Sequence, residues 1–93
     1  MNVFAIVATT GQAVDAIRSA LVQKFADKYT EAGDRLWLVS DNGTTTIEFA
    51  SKLGVKGSPA GGDVTSVVIL PVTSYWGNAN PAIWEWIKNK LEA

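Results

Sequence analysis

At 93 residues, 47% hydrophobic and 18% charged, the chain has room for one domain spanning residues 1–93 and no second core. It contains neither Cys nor His, which excludes disulfides, thiolate metal centres, cysteine nucleophiles and the usual neutral-pH proton shuttle. Eight Lys and Arg against nine Asp and Glu leave a net charge of −1, so long nucleic acid is not an expected partner.

Val3 to Ala8 is short, apolar and β-branched, and it stops at Thr9-Thr10-Gly11, which reads as a buried strand entering a helix with Thr10 as N-cap. From Gly11 to about Lys28 the apolar residues Val14, Ile17, Leu21 and Phe25 step by three or four, the period of an amphipathic helix. Leu36-Trp37-Leu38-Val39 reads as a strand, with Lys28 to Glu31 as its hairpin partner across Ala32-Gly33-Asp34. Thr45 and Glu48 have capping-box spacing for a second helix through Ile47, Phe49, Ala50 and Leu53, ended by Gly54. Residues 54–63 hold four of the eight glycines and are expected to form a mobile loop. Val64 to Val72 is the last long strand, and Asn80-Pro81 opens a third helix to about Leu91 with Ile83, Trp84, Ile87 and Leu91 on its apolar side. The longest apolar runs are far below the roughly 18 to 20 residues that cross a bilayer, and no basic segment precedes the first of them. The expected setting is therefore cytoplasmic, with no membrane contact.

A sheet with one wet face alternates apolar and polar residues, and these strands do not. Both sheet faces must be covered, either by the third helix crossing over or by another subunit. Trp84 and Trp86 lie about 200° apart on a helical wheel, so one of them is expected to look outward. Tyr75, Trp76, Trp84 and Trp86 are the candidate interface, because Trp and Tyr often dominate the energy of protein contacts.

With parallel first and third strands, Thr9, Thr10, Gly11, Asp41, Asn42, Thr44 and Thr45 would meet at one sheet edge. Helix N-termini there could hold phosphate, a nucleotide or nucleic acid. Capping and turn formation explain the same residues without a ligand. No P-loop or G-x-G-x-x-G is present. The acids are scattered, with Asp41 the one at that edge and Asp63 in the glycine-rich loop as a second, so no metal site, catalytic residue or cofactor is assigned. Ser40 and Ser74 lack a histidine base, and Phe4 and Trp37 lack the pattern of an RNA-stacking platform.

The strand Leu36-Trp37-Leu38-Val39-Ser40, the strand Val67-Val68-Ile69-Leu70, and the ending Tyr75-Trp76-Gly77 followed by Ile83-Trp84-Glu85-Trp86-Ile87-Lys88 resemble the SinR-like group. Those small proteins are distantly similar to the CRISPR-associated endoribonuclease-like small subunits. The resemblance spans nearly the whole chain and implies an α/β (α+β) ferredoxin-like βαββαβ sandwich with an additional C-terminal helix, pairing as a homodimer through sheet surfaces or edge strands. The nuclease branch carries an acidic residue at the end of the first strand, where this chain has Ala8-Thr9-Thr10, so no catalytic residue transfers. The expected function is a non-enzymatic binding module of adaptor or inhibitor type that meets itself and a protein partner. The alternatives are the anion-binding edge and a degenerate metal-dependent nuclease. The rival fold is a parallel βαβαβα sandwich without a strand at Lys28 to Glu31.

Overall fold

A computed structural model describes residues 2–74, 76–78 and 80–91. Its elements are β1 (Asn2–Ala8), a 3-10 turn (Gly11–Ala13), α1 (Val14–Lys24), β2 (Tyr29–Gly33), β3 (Leu36–Asp41), α2 (Thr46–Leu53), β4 (Val67–Val72) and α3 (Pro81–Leu91). The strands form one sheet in the order β2-β3-β1-β4, with every neighbouring pair antiparallel. This is the ferredoxin-like α+β arrangement with a C-terminal helix added, and the antiparallel hairpin of β2 and β3 excludes the parallel rival.

One sheet face carries the main core. Phe4, Ile6 and Ala8 of β1 and Trp37 and Val39 of β3 pack with Ile17 and Leu21 of α1 and Phe49 and Leu53 of α2. The Phe49 ring stacks on Phe4 at 4.6 Å and meets Phe25 at 5.0 Å. Phe25 also explains why α1 ends at Lys24 instead of Lys28. Its backbone leaves the helix at φ −137 and ψ 38, while its N–H still donates to the Leu21 carbonyl. The ring then fills the core, and the chain is free to start β2. Thr10 precedes the 3-10 turn but makes no side-chain cap bond, so its expected capping role is not used.

The second helix follows its sequence signals closely. The Glu48 N–H donates to Thr45 Oγ1 at 3.2 Å and the Thr45 N–H donates to Glu48 Oε1 at 3.4 Å, closing the capping box. Gly54, at φ 91, ends α2 in the left-handed conformation that glycine adopts without steric cost. The loop expected to be mobile is folded on itself. Val55 and Val64 form a parallel bridge, the Lys56 N–H donates to the Val64 carbonyl at 2.8 Å, and the Val64 N–H donates to the Gly54 carbonyl at 3.0 Å. Pairing its backbone groups internally is what lets so glycine-rich a segment close over the buried Val64.

The opposite sheet face is covered by α3, as the non-alternating strands require. Val3, Leu38 and Ile87 are buried there, with Ala5, Ala32, Val72, Ile83, Trp84, Trp86 and Leu91 around them. The Ala82 N–H donates to Asn80 Oδ1 at 2.9 Å, so Asn80 caps the helix that Pro81 opens. The expectation that Trp84 or Trp86 looks outward is corrected: both are half-buried beside Ile87. A helix lying on a flat sheet buries long side chains that lean down on both flanks, so its apolar arc is wider than the wheel implies.

Candidate interaction surface

The anion-binding edge drawn from the sequence is not assembled. β1 and β3 are antiparallel, Asn2 pairs with Asp41, and the Ala8 N–H donates to the Arg35 carbonyl at 2.9 Å. Thr9, Thr10 and Gly11 therefore leave one end of the sheet, and Asp41, Asn42, Thr44 and Thr45 leave the other, about 20 Å away at roughly 3.3 Å per residue. The reason is topological. The α1 crossover leads into β2, and the hairpin through Gly33 and Arg35 then reverses the chain before β3.

The residues at the Asp41 end are engaged with one another. Buried Asp41 accepts hydrogen bonds at Oδ2 from Thr44 Oγ1 at 2.6 Å and Lys52 Nζ at 2.9 Å, and at Oδ1 from the Asn42 N–H at 3.0 Å. Burial pushes its carboxyl pKa up, but the bonds from Thr44, Lys52 and Asn42 outweigh burial and hold it below the ordinary carboxylate value. Asn2 Nδ2 donates to the Thr44 carbonyl at 2.7 Å, tying the start of β1 to the same turn. Thr45 Oγ1 is taken up by the capping box. The cluster fastens the β3–α2 turn, with Asp41 lining a cleft beside Ser40, Asn42 and Lys90. Asp63 lines a cleft with Thr10 and Ser66 at the other end, so the two acids do not meet. Among the described residues no group of three or more acidic side chains could hold a metal ion.

The sheet edges differ sharply in character. β2, at one edge, carries Glu31, which accepts from Arg18 Nε at 2.7 Å and Trp37 Nε1 at 3.3 Å. It is flanked in sequence by Asp27, Lys28, Asp34 and Arg35. Such charges protect an edge from pairing with another strand. β4, at the other edge, lies in a run from Val64 to Trp84 that contains no charged residue. Its Val68 and Leu70 face the same side of the sheet as α3, since they pair with Val7 and Ala5. They remain 43% and 51% exposed, because α3 packs against β1 and β2 and leaves the flank of β4 open.

Trp76 is 99% exposed. With Gly77, Trp84, Glu85 and Lys88 it lines a cleft of about 360 Å³ along the flank of α3. Of the four aromatic residues singled out from the sequence, Trp76 is the one in solvent, Trp84 and Trp86 belong to the outer layer of the core, and Tyr75 lies outside the described residues. The exposed strip of Val68 and Leu70 had one signal in the sequence, the absence of charge across Val64 to Trp84. No helix among the described residues is long and apolar enough to cross a membrane. Comparison with models of known protein families, with curated proteins and with solved structures returns no match.

Proposed function

We propose that this chain is a small, cytoplasmic, non-enzymatic binding module of adaptor or inhibitor type that works by self-association and protein–protein contact. Its working surface is the open flank of β4. The observation that carries the reading is the contrast between the edges: charged residues guard β2, whereas β4 offers an uncharged strand with Val68 and Leu70 in solvent. A second copy of the chain is the first partner, because a two-fold contact through an uncharged strip brings no like charges together. A distant SinR-like relationship belongs to the same proposal, supported by the strand order and the C-terminal helix. The phosphate- or nucleotide-binding alternative loses its support with the separation of Thr9–Gly11 from Asp41–Thr45, and the nuclease alternative has no acidic cluster behind it among the described residues.

Light scattering on a size-exclusion column across a concentration series tests the reading. The unsubstituted chain is expected to run as a dimer, and Val68→Glu/Leu70→Glu as a folded monomer with an unchanged far-ultraviolet circular dichroism spectrum. A strict monomer at all concentrations sinks the self-association reading. Trp84 and Trp86 are poor test positions, since they pack into the outer core and their loss would undermine α3 itself.

A further inference from the structure

We infer that two copies join through β4 in antiparallel register with Ile69 on the two-fold axis, making one continuous eight-stranded sheet; this rests on the self-association reading above. The argument begins with which way the backbone of β4 points. On β1 the Ala8 N–H donates to Arg35 toward β3, and the next amide, that of Thr9, donates to the Ser66 carbonyl toward β4. Amides alternate sides along a strand, so Val3, Ala5 and Val7 turn theirs toward β4. Their register partners Val72, Leu70 and Val68 turn inward in reply. Val67, Ile69 and Pro71 therefore direct their backbone groups away from the sheet. Pro71 has no N–H, which is tolerated on an edge strand. The outward face of β4 offers N–H donors at Val67 and Ile69 and carbonyls at Val67, Ile69 and Pro71.

Two antiparallel registers use both donors on each copy. With Ile69 on the axis, the Ile69 N–H donates to the partner's Ile69 carbonyl and the Val67 N–H to the partner's Pro71 carbonyl. The missing proline donor then costs no bond already counted. With Val68 on the axis, Val67 and the partner's Ile69 exchange bonds instead. Side chains decide between them. The Ile69 register sets exposed Val68 directly opposite the partner's Leu70, and Leu70 opposite the partner's Val68, at non-hydrogen-bonded positions where side chains approach most closely. The Val68 register puts Leu70 opposite the partner's Ser66 and leaves half of the apolar strip unmatched. Apolar side chains covering one another favour the first. No charged residue lies between Val64 and Trp84, so neither register meets electrostatic opposition and the apolar match sets the choice.

The chain has no cysteine, which makes cross-linking decisive. Val68→Cys and Leu70→Cys are made separately, each at an exposed position, and checked for an unchanged circular dichroism spectrum. Equal amounts are mixed and exposed to mild oxidant. The Ile69 register predicts a disulfide-linked heterodimer from the mixture and monomer bands from either variant alone on a non-reducing gel. Val68→Cys cross-linking to itself, or no cross-link from the mixture, overturns the register. A second pair of variants guards against a cysteine that fails to oxidise. Val68→Lys or Leu70→Glu alone is expected to weaken the dimer about tenfold, whereas the double variant Val68→Lys/Leu70→Glu places opposite charges across the seam twice and restores it. No recovery in the double variant overturns the proposal. Light scattering on the unsubstituted chain separates the outcomes: a dimer that fails these tests keeps the binding reading and rejects the register, while a monomer rejects both.

Discussion

Replacing Ile87 by Ala is expected to loosen α3 without unfolding the rest of the protein. The two sheet faces hold separate buried clusters. The inner one draws on β1, β3, α1, α2 and Val64, whereas the outer one has Val3, Leu38 and Ile87 as its buried members. Ile87 is the one buried residue that α3 contributes. Truncating a buried isoleucine to alanine costs about 2–5 kcal/mol. That loss falls on the docking of a single helix whose other contacts are half-buried. At 1.4 kcal/mol per factor of ten, the opening equilibrium of α3 should rise roughly 30-fold to several thousand-fold. Native-state hydrogen exchange reads this directly, because a sub-globally opening unit exchanges its amides as a group. Amides of α3 should accelerate by that factor while those of β1, β3 and α2 change far less, and the fluorescence of Trp84 and Trp86 should shift as they meet water. Uniform acceleration along the whole chain would show that both faces unfold as one unit and would refute the reasoning.

Thr45→Ala removes the hydroxyl that closes the capping box and should lower stability by about 0.5–2 kcal/mol, seen as a lower urea midpoint with an unchanged slope. Asp41→Asn should be destabilising at neutral pH by about 1–3 kcal/mol, through the lost charge-assisted bonds to Thr44 and Lys52. The Asp41 pKa is lowered in the folded state, so its contribution is present above the unfolded value of about 3.9 and is lost as pH falls through the folded value. Thermal melts of the two proteins should accordingly begin to draw together below about pH 4 and converge once pH has fallen through the lowered folded value, and a gap that persists beyond it contradicts the assignment. Gly62→Ala should open the 54–64 loop, because a Cβ there collides with the Gly54 backbone. Limited proteolysis should then cut between Lys56 and Asp63, and unchanged resistance would count against the closed loop.

Local signals in this sequence translate directly into structure. Thr45 with Glu48, Asn80 before Pro81 and Gly54 after Leu53 fix helix ends because each satisfies backbone groups within a few residues. The two-faced apolar character of β1, β3 and β4 required cover on both sides, and α3 supplies it on the outer face. What sequence could not give was the relation between distant ends. Whether Thr10 and Asp41 share an edge depends on the direction of β3, which is set by the hairpin before it and not by either residue. The exposure of Trp76 against the half-burial of Trp84 and Trp86 likewise depends on how α3 rolls on the sheet. A helical wheel describes angles about an axis, and the distance from that axis to the surface beneath it is outside its reach.

The central position of β1 carries a consequence for how the chain folds. Ile6 pairs with Trp37 on one side and with Ile69, 63 positions later, on the other. During synthesis the strand that holds the sheet together emerges before both of its neighbours, and β4 follows long after it. Until Val67 to Val72 arrive, β1 stands as a temporary edge with Val3, Ala5 and Val7 uncovered on the face that α3 will later close. Closing so long a loop comes late and slowly. For that interval the nascent chain presents an apolar strand to whatever is nearby, so chaperone capture or lowered temperature during expression should raise its soluble yield.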